Sequence, residues 1–147
     1  YDPKPSHRTL SNAMDVGNPS NFARMEDYFT GAEGSTWNNM RKHILGYAYT
    51  DAQTEETMRE VEQQFTYILD PHGAVGYRAL DDYLTGHHGH RAVLLETAHP
   101  AKFLEDVERI LDHAIEVPER LASLRDKTKV AKEMKVSYET FKRYLLS

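Results

Sequence analysis

Apolar residues recur along most of the chain at the three- and four-residue spacing of an amphipathic helix. This spacing predicts successive helices at about 19–30, 35–44, 51–65, 71–84 and from 100 onward. The apolar residues expected on the inner faces of the first three helices are Phe22, Met25, Phe29, Trp37, Met40, Ile44, Met58, Val61 and Phe65. Helix therefore dominates the predicted architecture.

Two of these helices carry clear start signals. Thr50 and Asp51 are favourable N-cap residues directly before the third helical run. Asp70 can cap the fourth helix, and Pro71 suits its first turn because that turn needs no backbone N–H donor. The sequence therefore places both helix starts to within a residue or two.

Two short apolar segments break the helical pattern and predict strands. Residues 46–49 are one, and Ala92-Val93-Leu94-Leu95 is the other, with apolar side chains on both faces, as is typical of a buried parallel strand. Strand alternating with helix favours an α/β fold that is rich in helix. So few strands make a poor independent sheet, and we therefore expect the chain to be part of something larger.

The bulk composition excludes several classes of function. The 147 residues carry a formal net charge of −5 and contain no cysteine. An acidic chain is a poor partner for nucleic acid, a chain without cysteine has no thiolate zinc site, and no apolar run reaches the ~20 residues of a membrane helix. The first residue is Tyr1 rather than methionine, and we interpret this as the result of cutting.

The end of the predicted strand at 92–95 is the segment with the most chemistry. Ligands of open α/β sheets lie beyond the carboxyl ends of the strands. Thr97 and His99 follow the strand, and Pro100 begins a helix whose N-terminus favours anions. This arrangement indicates a site for a polar, anionic ligand. The alternative is that Thr97 and His99 only cap the following helix.

Three segments of the chain resemble threonine synthases, in the same order as in that family. They are Thr97-Ala98-His99-Pro100-Ala101-Lys102-Phe103, Asp70-Pro71-His72-Gly73-Ala74-Val75-Gly76-Tyr77, and Thr9-Leu10-Ser11-Asn12-Ala13-Met14-Asp15-Val16 continued by Asn18-Pro19-Ser20-Asn21. In the family these segments lie toward the C-terminus. The chain therefore resembles roughly the last third of such an enzyme.

The resemblance implies a fold, a reaction and a cofactor. The fold would be part of the large domain of a fold-type-II pyridoxal-phosphate enzyme at 1–115, with a C-terminal helical extension at 116–147. The reaction would be the conversion of O-phospho-L-homoserine and water to L-threonine and phosphate, in the cytoplasm. It implies that the Thr97 hydroxyl bonds the pyridine nitrogen of the cofactor and that His99 helps to shape the pocket wall.

The resemblance also implies groups that this chain does not contain. The family holds the cofactor as a Schiff base on a lysine in an S-F-K-D-like segment, and none of the eight lysines here has that context. A glycine-rich loop for the cofactor phosphate is also absent from the sequence. We therefore expect no catalytic residue in this chain, no activity on its own, and the missing N-terminal part of the enzyme as its partner.

Two polar clusters allow more than one interpretation. Ser11, Asn12 and Asp15 are candidates for lining the substrate pocket, although turn and cap hydrogen bonding is the favoured interpretation. The histidines at 87–90 are close enough together to bind zinc or nickel adventitiously. A physiological site needs fixed geometry and supporting partners, so we predict no metal site.

The C-terminal segment 128–145 supplies the main alternative function. Its pattern is that of a helix-turn-helix, with Ser137 capping the second helix and several lysines making it locally basic. The alternative is thus a non-catalytic α/β module with a nucleic-acid-binding segment. A DNA reader needs a third helix, and the acidic remainder opposes phosphate binding. A terminal helix that packs Phe141 and Leu145 on the domain is therefore favoured.

Overall fold

The computed structural model describes residues 5, 7–12, 19–31 and 35–147. Within them the chain forms seven α-helices and one 3₁₀ helix. These are α1 Phe22–Thr30, α2 Thr36–Arg41, α3 Asp51–Phe65, α4 Pro71–Thr85, the 3₁₀ helix Pro100–Phe103, α5 Leu104–Leu111, α6 Glu119–Ala122 and α7 Tyr138–Leu145. The chain divides into two compact units, Tyr1–Glu116 and Val117–Ser147.

Local hydrogen bonds explain where the two longest helices begin. The Gln53 backbone N–H donates to Thr50 Oγ1 at 3.3 Å, and the Gln53 side chain accepts from the Thr50 N–H at 2.9 Å, which completes a capping box. At α4, Asp70 Oδ1 accepts from the His72 N–H at 2.8 Å. Pro71 occupies the first turn. The predicted starts of both helices are confirmed.

The core of the first unit lies where α3, α4 and α5 meet. Each helix contributes a narrow apolar stripe, as an amphipathic helix does. The buried cluster consists of Met58, Val61, Leu69, Ala74, Val107 and Ile110. The Arg59 side chain adds a polar tie by donating to the Ile110 carbonyl at 2.9 Å. This small core packs α4 and α5 against α3.

Several apolar residues predicted to face inward are exposed. Met40, Met58 and Val61 are buried as expected, but Trp37 is 64% exposed and Phe65 is 53% exposed. Periodicity identifies the apolar face of a helix, but burial also needs a neighbouring element to cover that face. Trp37 therefore stays largely exposed, and Phe65 is only partly covered, by the Tyr77 ring of α4 at 6.3 Å between centroids.

The predicted strands at 46–49 and 92–95 are not formed in the described residues, where the structure has helix, turns and extended chain. The α/β prediction is therefore not confirmed, and the described architecture is helix-rich. The physical reason is that a strand exists only as a member of a ladder, and neither segment has a neighbouring strand to pair with.

The second unit contains α6 and α7. Ser137 caps α7 as predicted, with its Oγ accepting from the Thr140 N–H at 3.3 Å. Residues 127–137 are not helical, so the prediction of a first helix in the helix-turn-helix is wrong. Val130 and Val136 are 96% and 108% exposed, so no apolar face is available to stabilise a helix there. The nucleic-acid-binding alternative is therefore not favoured.

No helix in the described part of the chain is long and apolar enough to cross a bilayer.

Candidate functional site

The segment between α4 and the 3₁₀ helix is extended, and its side chains alternate between two environments. Leu94 and Glu96 are half-buried, whereas Thr97 is exposed and Val93 and Leu95 are 82% and 78% exposed. A period of two is the signature of strand-like backbone. The segment therefore has the side-chain pattern of a strand without a strand partner.

The inward face of the extended segment rests on two glycines of α4. A side-chain carbon at Gly76 would lie 2.8 Å from Leu94 Cδ1, and one at Gly73 would lie 2.6 Å from Glu96 Cδ. Both distances are too short for a real contact, so a larger residue at either position would force the Glu96 or Leu94 side chain to shift. The two glycines are one turn apart and form a shallow channel for Leu94 and Glu96.

The outward face of the same segment presents Thr97 and His99. The Thr97 hydroxyl is exposed and makes no hydrogen bond within the described residues. His99 is the N-cap of the 3₁₀ helix, and its Nδ1 accepts from the Ala101 N–H at 3.1 Å. Because Nδ1 accepts, the neutral ring carries its proton on Nε2. A hydroxyl and a ring N–H donor are thus available on either side of the bend at Ala98.

His99 also lines a surface hollow of about 310 Å³. The other walls come from the loop between α3 and α4 and from the chain after α5, and they include Tyr67, Ile68 and Ile115. Thr97 does not line this hollow. The structure therefore leaves both predicted cofactor residues exposed, two positions apart, but does not place them in one enclosed pocket.

Behind this face lies an acidic pair that sequence reasoning missed. Asp70 is fully buried, and its Oδ2 has no hydrogen-bond partner in the described residues. Both carboxyl oxygens of Glu96 are likewise buried and without partners there. Burial and the neighbouring Asp70 carboxyl group raise the pKa of Glu96 to about 8. The residues are 26 positions apart, so no local pattern signals that they meet.

The predicted substrate-pocket residues lie in a turn at the start of the described chain. Thr9 Oγ1 donates to Asn12 Oδ1 at 3.0 Å and lies 3.3 Å from Ser11 Oγ, and Asn12 Nδ2 donates to the His7 carbonyl at 2.8 Å. Asn12 also lines a hollow of about 340 Å³ together with residues of α3 and α5. Asp15 lies outside the described residues.

The histidines of the 87–90 loop pack on one another and on α4. The His87 ring stacks on Tyr83 with 3.9 Å between centroids, and His87 Nδ1 lies 2.7 Å from the Tyr83 carbonyl. The His90 ring lies 5.7 Å from that of His87. No group of three or more potential ligands in the described residues is arranged to hold a metal ion.

Comparison with known proteins gives the same family at three levels. The family model described as "Threonine synthase, C-terminal" matches residues 73–145. Threonine synthase of Escherichia coli is 37% identical to this chain, and the match covers 100% of this chain. Threonine synthase of Haemophilus influenzae is 36% identical, and that match covers 99% of this chain. In both cases the match covers 32% of the relative, so the chain spans about a third of the length of these relatives.

Solved structures agree with the sequence comparison. The crystal structure of Escherichia coli threonine synthase matches with a TM-score of 0.71 at 36% identity, over 99% of this chain and 32% of that one. A threonine synthase from Brucella melitensis, described as bound to PLP, matches with a TM-score of 0.73 at 21% identity. The match covers 99% of this chain and 35% of that one. The chain is thus similar to part of these synthases in both sequence and structure. The chain belongs to the threonine synthase family.

Proposed function

We propose that this chain forms one wall of the active site of a threonine synthase that depends on pyridoxal phosphate. The reaction converts O-phospho-L-homoserine and water to L-threonine and phosphate, as a step of threonine biosynthesis in the cytoplasm. The observation that carries the proposal is the family match over the whole chain, which includes the segment that presents Thr97 and His99. The cofactor, when bound, supplies an electron sink for the proton transfers of the reaction.

The role proposed for Thr97 is to hold the pyridine nitrogen of the cofactor. Its hydroxyl is exposed and makes no hydrogen bond in the described residues, so it is free to bond a ligand. A neutral hydroxyl stabilises a protonated pyridinium less than a carboxylate does. It therefore suits chemistry in which the ring withdraws electrons only moderately.

The role proposed for His99 is to shape the pocket wall next to Thr97. Its Nδ1 is already engaged by the Ala101 N–H, which fixes the ring at the start of the 3₁₀ helix. The remaining Nε2–H can donate to a phosphate or carboxylate. For Ser11, Asn12 and Asp15 we retain the weaker proposal that they line the substrate side of the site.

We propose further that the lysine carrying the cofactor lies in the part of the enzyme beyond this chain. Every described lysine is exposed. A Schiff-base lysine is activated by desolvation in an apolar pocket or by a cationic neighbour. The exposed lysines here have the surroundings of surface charges, which supports the proposal that this chain alone does not turn over substrate.

The proposed fold of the whole enzyme is α/β and of fold type II, with 1–115 in the cofactor domain and 116–147 as an extension. Two features of the extended segment support this. Its side chains alternate as in a strand, and its outward apolar residues, Val93 and Leu95, are largely exposed. A neighbouring strand from the rest of the enzyme would pair with the backbone and help to cover both side chains.

The test is a pair of substitutions at Thr97 in the intact enzyme that contains this chain. We expect Thr97→Val to weaken pyridoxal phosphate binding roughly tenfold, because one hydrogen bond of about 1.4 kcal/mol is lost. Thr97→Ser keeps the hydroxyl and should bind like the wild type. The measurement is an absorbance titration with pyridoxal phosphate, and equal affinities for the Val and Ser variants would contradict the role of Thr97.

A further inference from the structure

The acidic pair, Asp70 and Glu96, presents a problem of hydrogen bonding. Asp70 Oδ1 accepts from the His72 N–H at 2.8 Å and lies 2.8 Å from His72 Nδ1. Asp70 Oδ2 and both Glu96 oxygens are buried without a partner in the described residues. Two ionised carboxylates only accept hydrogen bonds, and side by side they also repel each other. The pair is therefore unstable with both groups charged.

We infer that Asp70 and Glu96 share one proton, and that the resulting hydrogen bond makes Glu96 a positioning residue for Thr97. The Glu96 O–H donates to Asp70 Oδ2, the Asp70 oxygen that His72 leaves unused. Glu96 is the residue directly before Thr97 and faces the opposite way. The shared proton rests on the buried carboxyl oxygens that lack partners, whereas the positioning of Thr97 rests on the proposed function.

The charges around the pair agree with protonation of Glu96 rather than Asp70. Burial raises the pKa of Asp70, but hydrogen bonds from Glu96 and from the His72 backbone and ring outweigh it and hold that pKa below its ordinary value. At Glu96, burial and the Asp70 carboxyl group outweigh the lowering effect of the Asp70 backbone, and the pKa rises to about 8. Among the described residues, Asp70 is the titratable group that acts on Glu96. Phe103 of the 3₁₀ helix packs against the His72 ring, with 5.1 Å between ring centroids.

The packing explains how protonation of Glu96 affects the position of Thr97. Glu96 and Leu94 are the half-buried side chains that lie in the Gly73 and Gly76 channel of α4. Since the Glu96 carboxyl lies against Gly73, its bond to Asp70 fixes the backbone one residue before Thr97. Loss of the proton places two charges in a buried site, so the end of the segment should detach from α4.

The pH dependence has a definite sign. The pKa of Glu96 in the fold, about 8, lies above its ordinary value of 4.5. The contact therefore stabilises the attached segment fully below that ordinary value and progressively less as the pH rises. Protection of the segment against local opening should fall by roughly tenfold per pH unit across this window and become level above it.

The experiment compares four proteins by amide hydrogen exchange with mass spectrometry. They are the intact enzyme containing this chain and its Glu96→Gln, Glu96→Ala and Glu105→Gln variants. Glu105 is an exposed carboxylate of α5 and serves as the matched control. Protection of the peptide covering 92–99 is followed from about pH 5 to about pH 9 and corrected for the intrinsic exchange rate.

Wild type and Glu105→Gln should lose protection with rising pH. Glu96→Gln should stay protected throughout, because an amide donates to Asp70 at every pH. Glu96→Ala should be unprotected throughout. The same pH slope in wild type and Glu96→Gln would overturn the shared proton, as would full protection in Glu96→Ala. If the alanine variant does not fold, the comparison of wild type with glutamine still decides.

Pyridoxal phosphate titration of the same proteins tests the positioning of Thr97 separately. Affinity should fall with rising pH in the wild type but not in Glu96→Gln. Parallel pH profiles in these two proteins would overturn the positioning role. If the wild type binds no pyridoxal phosphate at any pH, the proposed function and with it this role fail, whereas the exchange experiment still decides the shared proton.

Discussion

At the scale of single residues, two glycines of α4 decide how closely the extended segment approaches the helix. Glycine in a helix interior costs roughly 0.5–1 kcal/mol relative to alanine. Gly73 and Gly76 both lie in α4, where added side-chain carbons would overlap Glu96 and Leu94. The cost in helix stability is offset by the packing of the segment that presents Thr97.

Gly73→Ala is expected to lower the free energy of unfolding by up to about 2 kcal/mol. Alanine gains about 1 kcal/mol in helix propensity, but displacing the buried Glu96 side chain costs about 1–3 kcal/mol. Urea unfolding followed by circular dichroism measures the difference. Gly31→Ala is the control, because a side-chain carbon there meets nothing within 4 Å, and it should change stability by less than about 0.5 kcal/mol. Equal effects of both substitutions would contradict the overlap with Glu96.

At the scale of elements, the helices depend on local caps and the extended segment depends on distant neighbours. Thr50, Asp70 and Ser137 each accept a hydrogen bond from a backbone N–H two or three residues later. Such bonds form from adjacent sequence and need no tertiary partner. The segment 92–99 has no equivalent local bonds along its strand-like part, and Leu94 and Glu96 of this segment rest on α4.

Thr50→Ala is expected to lower the free energy of unfolding by about 1 kcal/mol, because the first turn of α3 loses its side-chain acceptor. Thr50→Ser retains the hydroxyl and the capping box and should be close to the wild type. The midpoint of urea unfolding is the measurement. A serine variant as unstable as the alanine variant would show that the methyl group, rather than the cap, is responsible.

At the scale of the whole molecule, the chain consists of a unit with a small core and a second unit with little packing. The first unit buries the cluster shared by α3, α4 and α5. In the second unit, Val117–Ser147, residues 127–137 are exposed and not helical. Exposed backbone without helical hydrogen bonds opens at little cost, and proteases cut where the chain opens.

Limited proteolysis with trypsin should therefore cut first within 127–135. The sites there are Lys127, Lys129, Lys132 and Lys135, all exposed. Arg59 and Arg78 are the internal comparison, because both lie within helices and pair with Glu55 and Glu56 at 3.1 Å. Mass spectrometry of early fragments gives the order of cleavage. First cuts at Arg59 or Arg78 would contradict the expectation that the second unit opens more easily than the first.

The sequence by itself determined features that depend on near neighbours in the chain, and the family, which short motifs identify. The starts of α3, α4 and α7 follow from residues two or three positions apart, and the family follows from ordered segments such as 97–103. Only the tertiary structure decided which apolar faces are covered, that the predicted strand at 92–95 stands without a partner in the described residues, and that Glu96 meets Asp70. The reason is that caps form between near neighbours in the chain, whereas ladders, burial and carboxyl pairs depend on which distant segments come together.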